Sequence, residues 1–217
     1  MDFNRGLKVL WEKYYKDKCD FEEIKKFGEE QFQVLLGFHK QGIEYRFVAD
    51  ELPEYAKRFG GDTVTLSADE EADFLMLCND MEVMPGMEDA LETLQNKGIP
   101  MYILSNSGFT AASLTKVLER FGIEKYFKRV WSSADYGRIK PDKGFFDQAI
   151  ETVLSDYPQN GRSDIVFIGD TFDSDVLGAN NAGINAVWFD HKGEEINCSF
   201  EYRKISKASE LLGTLLG

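Results

Sequence analysis

The sequence predicts an α/β fold, a parallel sheet with crossover helices, with a separate all-helical region ahead of it. Three observations carry this. Short runs at 101–104, 130–132, 165–168 and 185–189 alternate with amphipathic stretches of helical length, the pattern of parallel strands joined by helices. The run 165–168, Ile-Val-Phe-Ile, is apolar at four successive positions, which suits a strand covered on both faces. Residues 1 to about 80, in contrast, carry helical periodicity and no convincing strand pattern. The expected organisation is a helical domain over 1–80 and an α/β domain over 81–217.

In the helical region, Leu7, Leu10, Trp11 and Tyr14 share one helix face, and Phe32, Leu35, Leu36 and His39 repeat the pattern. His39 thus occupies a core-stripe slot and reads as a structural histidine. Gly60-Gly61-Asp62 marks a loop, 63–66 is too short for a strand, and 74–78 suggests a further helix. At Met84-Pro85-Gly86 the character changes. Met87, Ala90, Leu91 and Leu94 line a helix that ends by Gly98. Strand 101–104 stops at Ser105-Asn106-Ser107-Gly108, and Leu114, Val117, Leu118 and Phe121 line the next helix. After the short strand 130–132 comes a loop in which Pro141 biases Lys140 away from helix. Phe145, Phe146, Ala149, Ile150 and Val153 mark the helix ahead of strand 165–168. A helix through Val176 and Leu177 ends near Gly183, 185–189 is a strand, and Ala208, Leu211, Leu212 and Leu215 line the last helix. Gly193 to Phe200 reads as a surface loop, with His191 beside it facing solvent.

The 217 residues are 43% hydrophobic, enough for a substantial core. A net charge of -13 with no basic run argues against a nucleic-acid polymer as surface partner, while leaving room for a small anion in one local positive site. Cys19, Cys78 and Cys198 are too scattered for a disulfide framework or a zinc motif. With no signal peptide and no apolar run of membrane-spanning length, the expectation is a cytoplasmic protein without a membrane partner.

The chemistry concentrates where strands end. Gly169 lets the chain turn out of strand 165–168, Asp170 stands at its carboxyl end, and Asp175 falls in the turn opening the next helix. Two acids at the tip of a buried strand call for a positive partner. Mg²⁺ suits them, since it takes oxygen ligands and keeps several waters. The plain alternative is a helix N-cap with acids favoured by the helix dipole. The carboxyl ends of parallel strands share one edge of the sheet, so Ser105, Lys140 and Asp170 can converge there. A hydroxyl with backbone N–H groups, a lysine point charge and a metal-binding acid pair describe a phosphate site. Singly, Ser105 is a turn residue and Lys140 a surface lysine; their order and placement carry the reading.

The segments Ile103 to Gly108, Ile139 to Phe146, Ile168 to Asp175 and Gly178 to Gly183 resemble motifs II, III and IV of the haloacid dehalogenase-like hydrolases. The resemblance covers about 82–217 and implies a Rossmann-like core. Residues 1–80 are similar to the helical cap of this family's first subfamily. The resemblance implies that Ser105 binds the transferring phosphoryl group, Asn106 shapes that loop, and Lys140 holds phosphate and nucleophile together. It further implies that Asp170 ligates Mg²⁺ and that Asp175 supports the metal shell. Residues 186–190 and 201–205 are similar to the branch that includes pyrimidine 5′-nucleotidases. The function so implied is Mg²⁺-dependent hydrolysis of small phosphorylated metabolites, nucleoside monophosphates among them, through an aspartyl-phosphate. A phosphate- or partner-binding module without catalysis and a haloacid dehalogenase are the alternatives.

The family's first motif, Asp-x-Asp at the end of a central first strand, has no counterpart here. Asp2 has no strand before it, Met1 to Asn4 resembles the stretch just after that motif, and Asp173-Ser174-Asp175 lies in a turn. The nucleophilic aspartate that splits the reaction into two easier steps is therefore missing. Losing a central strand also leaves buried backbone groups unpaired, at about 1–3 kcal/mol each, in a domain stable by about 5–15 kcal/mol. The expectation is a sequence truncated at its start, inactive as written, whose precursor carries one more buried strand ending in Asp-x-Asp.

Overall fold

The computed structural model describes residues 3–216; Met1, Asp2 and the readings that fall on them lie outside the described residues. The first helices are α1 (Phe3–Leu10), α2 (Phe21–His39), α3 (Leu52–Phe59), α4 (Ala68–Cys78) and α5 (Met87–Asn96). Then follow β1 (Met101–Ser105), α6 (Ala111–Arg120), β2 (Phe127–Ser132), the short α7 (Ser133–Tyr136) and α8 (Lys143–Asp156). The chain closes with β3 (Val166–Gly169), α9 (Leu177–Asn181), β4 (Asn185–Phe189), β5 (Arg203–Ile205) and α10 (Leu211–Leu216). By internal contacts it divides into two units. One is Met1–Glu82, Ser105–Lys125 and Val130–Ile139; the other is Val83–Leu104, Tyr126–Arg129 and Lys140–Gly217. Among the described residues no helix is long and apolar enough to cross a membrane.

The first unit is helical. Its core gathers Leu7 and Leu10 of α1, Ile24 of α2, Leu52 and Tyr55 of α3 and Phe74 of α4. A π-helical turn, Trp11–Tyr15, follows α1 and inserts extra backbone into the repeat. The buried aromatic is consequently Tyr15, 1% exposed, where spacing had pointed to Tyr14. Helix α2 starts at a capping box between Asp20 and Glu23. Its apolar stripe is rotated from the expected one. Ile24 and Gln31 are buried, whereas Phe32 and Leu36 stand 44% and 37% exposed. Gln31 goes inside because the buried Tyr45 hydroxyl donates to its Oε1 at 2.6 Å. Glu51, ahead of α3, is half-buried and accepts from the Tyr55 hydroxyl at 3.5 Å.

The second unit holds the sheet. Strands β3, β4 and β5 are parallel, with Ile168 opposite Val187 and Val187 opposite Arg203. Alternation along β4 sets the two faces. Val187 and Phe189 pack with Ala90 of α5, Ile205 and Leu211 of α10. Ala186 and Trp188 pack with Phe146 and Ile150 of α8 and Val176 and Ala179 around α9. Helices therefore cover both faces, the doubly wound α/β arrangement. Strand β5 has no apolar run to announce it. Only Ile205 of its three residues is buried, and Arg203 and Lys204 are the charged positions expected on an edge strand.

The strands form two sheets. β1 pairs with β2, and β3 pairs with β4; β1 and β3 do not pair with each other. Among the described residues, β1 and β3 each keep one edge without a strand partner. Strand β1 is half-buried at all five positions, and Ile168 is 37% exposed. The expectation that 165–168 is covered on both faces is thus corrected: a strand with an open edge leaves its side chains partly in water.

Candidate functional site

Strand β3 ends at Gly169, where the chain turns sharply. A Cβ placed on Gly169 would stand 2.4 Å from the Asp175 Cγ, so only hydrogen fits. The turn folds back on itself. Asp175 donates its N–H to the Thr171 carbonyl at 2.8 Å, and Asp175 Oδ2 accepts the Thr171 N–H at 3.0 Å. The Ser174 hydroxyl donates to Asp175 Oδ1 at 3.2 Å. Asp175 is 4% exposed, and its carboxylate points inward.

Lys140 meets it there. Its Nζ lies 2.8 Å from Asp175 Oδ1 and donates to the Leu104 carbonyl at 3.0 Å. It also sits 5.0 Å from the centroid of the Phe167 ring. The lysine is 8% exposed, so a buried ammonium is shared between the carboxyl end of β1 and the turn after β3. Burial of a charge pair costs several kcal/mol per ion unless hydrogen bonds complete it, and here they do. The loop is tied to α8 just after Lys140. The Lys140–Pro141 peptide is cis, and Asp142 caps α8 by accepting the Phe145 N–H at 3.1 Å. Gly178 lets α9 approach, since a Cβ there would meet Phe146 at 2.6 Å and Pro141 at 3.2 Å.

Asp170 differs from Asp175. It is exposed, with its Oδ1 3.5 Å from the Thr171 hydroxyl, while its main-chain carbonyl accepts the Trp188 indole N–H at 3.1 Å. Lys140 and Asp175 are therefore in direct contact, and Asp170 precedes Asp175 in the same folded turn. Among the described residues, no group of three or more His, Cys, Asp or Glu side chains could hold a metal by itself. The donor set is nonetheless oxygen only. It fits Mg²⁺, which binds through one or two carboxylates and fills its remaining positions with water and substrate phosphate. Asp170 offers the outward carboxylate, and Asp175 supports the turn from behind.

Ser105 and Asn106 follow Leu104 in the chain and group with the first unit, Ser105 half-buried and Asn106 exposed. The loop they open is held by a buried network that sequence reasoning missed. The Ser107 N–H donates to Ser133 Oγ at 2.8 Å, and the Ser133 hydroxyl donates to Glu44. The side chain of Glu44 has no exposure and also accepts the Tyr45 N–H at 3.1 Å. His39 Nε2 lies 3.0 Å from the same carboxylate, which accounts for its half-buried place. The Phe47 N–H donates to the Gly108 carbonyl at 2.8 Å. Nothing in the local pattern around Glu44 signals this role, because its partners lie far along the chain. Trp188 reads from the sequence only as part of strand 185–189 and of the segment 186–190.

A family model described as haloacid dehalogenase-like hydrolase matches residues 6–183. The pyrimidine 5′-nucleotidase YjjG of Escherichia coli is 34% identical over 105 residues, 48% of this chain and 44% of that protein. The ribulose-1,5-bisphosphate 5-phosphatase of Halopiger xanaduensis is 32% identical over 115 residues, 53% of this chain and 45% of that protein. The chain thus spans less than half the length of either relative. A solved HAD phosphatase from Thermococcus onnurineus superposes with a TM-score of 0.66 at 23% identity, over 99% of this chain and 92% of that one. A 2-haloacid dehalogenase from Pseudomonas syringae gives 0.65 at 20% identity, over 98% and 90%. These structures share the fold.

Proposed function

The chain belongs to the haloacid dehalogenase-like hydrolases, and from that premise we propose a Mg²⁺-dependent phosphohydrolase of small phosphorylated metabolites, nucleoside monophosphates among them. The observation that carries this reading is the buried Lys140 ammonium, shared between the Leu104 carbonyl and Asp175 beside the outward carboxylate of Asp170. A dianionic phosphoryl group needs such a fixed positive charge, and its placement at strand ends needs no reorganisation during reaction. The kinship with a pyrimidine 5′-nucleotidase and a sugar-bisphosphate phosphatase supports the phosphate ester as substrate class.

In this reading Lys140 orients a phosphoryl oxygen, and Asp175 holds the lysine in place through their 2.8 Å contact. The resemblance gives the Ser105 hydroxyl the role of a donor to the phosphoryl group. Asp170 holds Mg²⁺, which when bound neutralises phosphoryl charge and orients the ester. By the family resemblance the attacking group would be an aspartate at a strand's carboxyl end, and among the described residues no Asp-x-Asp stands at such an end. A carboxylate oxygen bonds to phosphorus, the ester oxygen leaves with a proton from a second acid, and water then cleaves the aspartyl-phosphate.

The test compares this chain with the same chain extended at its start by an apolar strand ending in Asp-x-Asp. With p-nitrophenyl phosphate and nucleoside monophosphates in Mg²⁺, the chain alone shows no turnover. The extended chain does, and Lys140→Met abolishes it. Mg²⁺-dependent turnover by the 217-residue chain refutes the missing nucleophile. An extended chain that binds phosphate but never turns over favours the binding-module reading. Metal-free halide release from a haloacid favours the dehalogenase.

A further inference from the structure

We propose that Trp188 is a positioning residue for Asp170, holding the acid's turn by its main-chain carbonyl so that the carboxylate is aimed for a divalent cation. This rests on the reading above, in which Asp170 binds that cation.

The hydrogen bond from the indole N–H to the Asp170 carbonyl is 3.1 Å long and spans 18 residues of sequence. Its donor is firmly placed. Trp188 is 1% exposed and stands opposite Gly169 in the parallel ladder, so the indole lies next to the strand end from which Asp170 emerges. Phe172, in the same turn, meets the Trp188 ring edge-on at 5.1 Å, and Tyr202 does so at 6.0 Å. The Lys204 ammonium sits 4.7 Å from the ring centroid and 2.6 Å from the Asp190 carboxylate. The indole is thus packed on several sides, and its one polar atom is spent on the acid's own backbone. A buried tryptophan needs an acceptor for its N–H. Here the acceptor is the residue after Gly169, where the chain leaves the sheet. Asp175 braces the far side of the turn through the Thr171 N–H. With the indole donor removed, the Asp170 carbonyl loses this partner and the first bend of the turn is free to rotate. The carboxylate then loses its set direction, although nothing that touches the cation has changed.

The probe is Mn²⁺, titrated into the intact 217-residue chain, with free ion read by its electron paramagnetic resonance signal. The wild-type chain binds, and Asp170→Asn does not. Trp188→Phe, which keeps the aromatic bulk, binds about 10-fold more weakly, as expected when a residue that orients a ligand is lost. Trp188→Phe binding Mn²⁺ as tightly as wild type overturns the positioning role and leaves the Asp170 reading intact. A wild-type chain that does not bind, or an Asp170→Asn chain that binds equally, overturns that reading and the inference with it. A second measurement needs no Trp188 variant. The indole ¹H–¹⁵N signal of Trp188, identified by elimination with Trp11→Phe and Trp131→Phe, shifts on adding Mg²⁺ to wild type and stays fixed in Asp170→Asn. A signal unmoved at saturating Mg²⁺ overturns the proposal.

Discussion

Replacing Glu51 by glutamine should make the protein more stable, and only above a particular pH. Burial pushes the Glu51 carboxyl up from 4.5 to about 7, and the Tyr55 hydroxyl only partly opposes it. In the unfolded chain the carboxyl returns to its ordinary value. Between pH 4.5 and about 7 the unfolded state has lost a proton that the folded state keeps. Stability therefore falls as pH rises through that window and is level on either side of it. At about 1.4 kcal/mol per pH unit, a fully expressed shift costs about 3 kcal/mol. Glu51 keeps some contact with water, so about 2 kcal/mol is the working figure. Glu51→Gln retains an acceptor for Tyr55 and removes the charge. At pH 4 the two proteins should melt together. At pH 8 the variant should melt about 4–8 °C higher, from the usual 2–4 °C per kcal/mol for a chain of this size. Differential scanning calorimetry at the two pH values decides it. A variant less stable at pH 8, or a difference that does not change between pH 4 and pH 8, refutes the reasoning.

Lys140→Met should cost about 3–5 kcal/mol in urea unfolding, because it strands the buried Asp175 carboxylate. Adding Asp175→Asn should restore part of that loss, and no restoration would mean the two groups act separately. Gly169→Ala should cost about 1–3 kcal/mol, since the new methyl carbon would fall 2.4 Å from the Asp175 Cγ. An unchanged unfolding midpoint would show that the turn relaxes freely. Gly6→Ala tests the same principle in the first unit, where the Cβ would meet Cys78 Sγ at 2.5 Å and Phe74 at 2.8 Å. A loss of similar size in melting experiments is expected, and wild-type stability would contradict close packing of α1 on α4.

The α/β half was legible because its strands are written as short apolar runs and its helices as 3.6-residue stripes. Strands β3 and β4 and helices α5 and α8 stand where those runs predict them. The errors have physical sources. The π-helical turn after α1 changes the residues per turn, so a face counted at 3.6 lands on Tyr14 and misses Tyr15. In α2 a buried Tyr45–Gln31 hydrogen bond draws a polar residue inward and turns Phe32 and Leu36 outward, which hydrophobicity alone cannot anticipate. β5 is an edge strand marked by one apolar residue. In the candidate site, the sequence places Asp170 at the end of strand 165–168, Asp175 in the turn after it and Lys140 in a loop, and the structure adds the Lys140–Asp175 contact. Glu44 and Trp188 were not readable, because each acts through a partner far away in sequence.

The open edges of β1 and β3 also bear on how copies of this chain behave in concentrated solution. An unpaired strand edge is a template for any extended segment that reaches it, including one from a neighbouring molecule. Lys140 already occupies the Leu104 carbonyl, which blunts one end of that template. The rest is defended by charge, since two chains each carrying -13 repel before their edges can meet. That defence disappears on acidification toward the sequence pI of about 4.7. Colloidal stability and acid resistance are therefore different properties of this molecule. Mild acid relieves the strain at Glu51 within each chain while it removes the repulsion between chains.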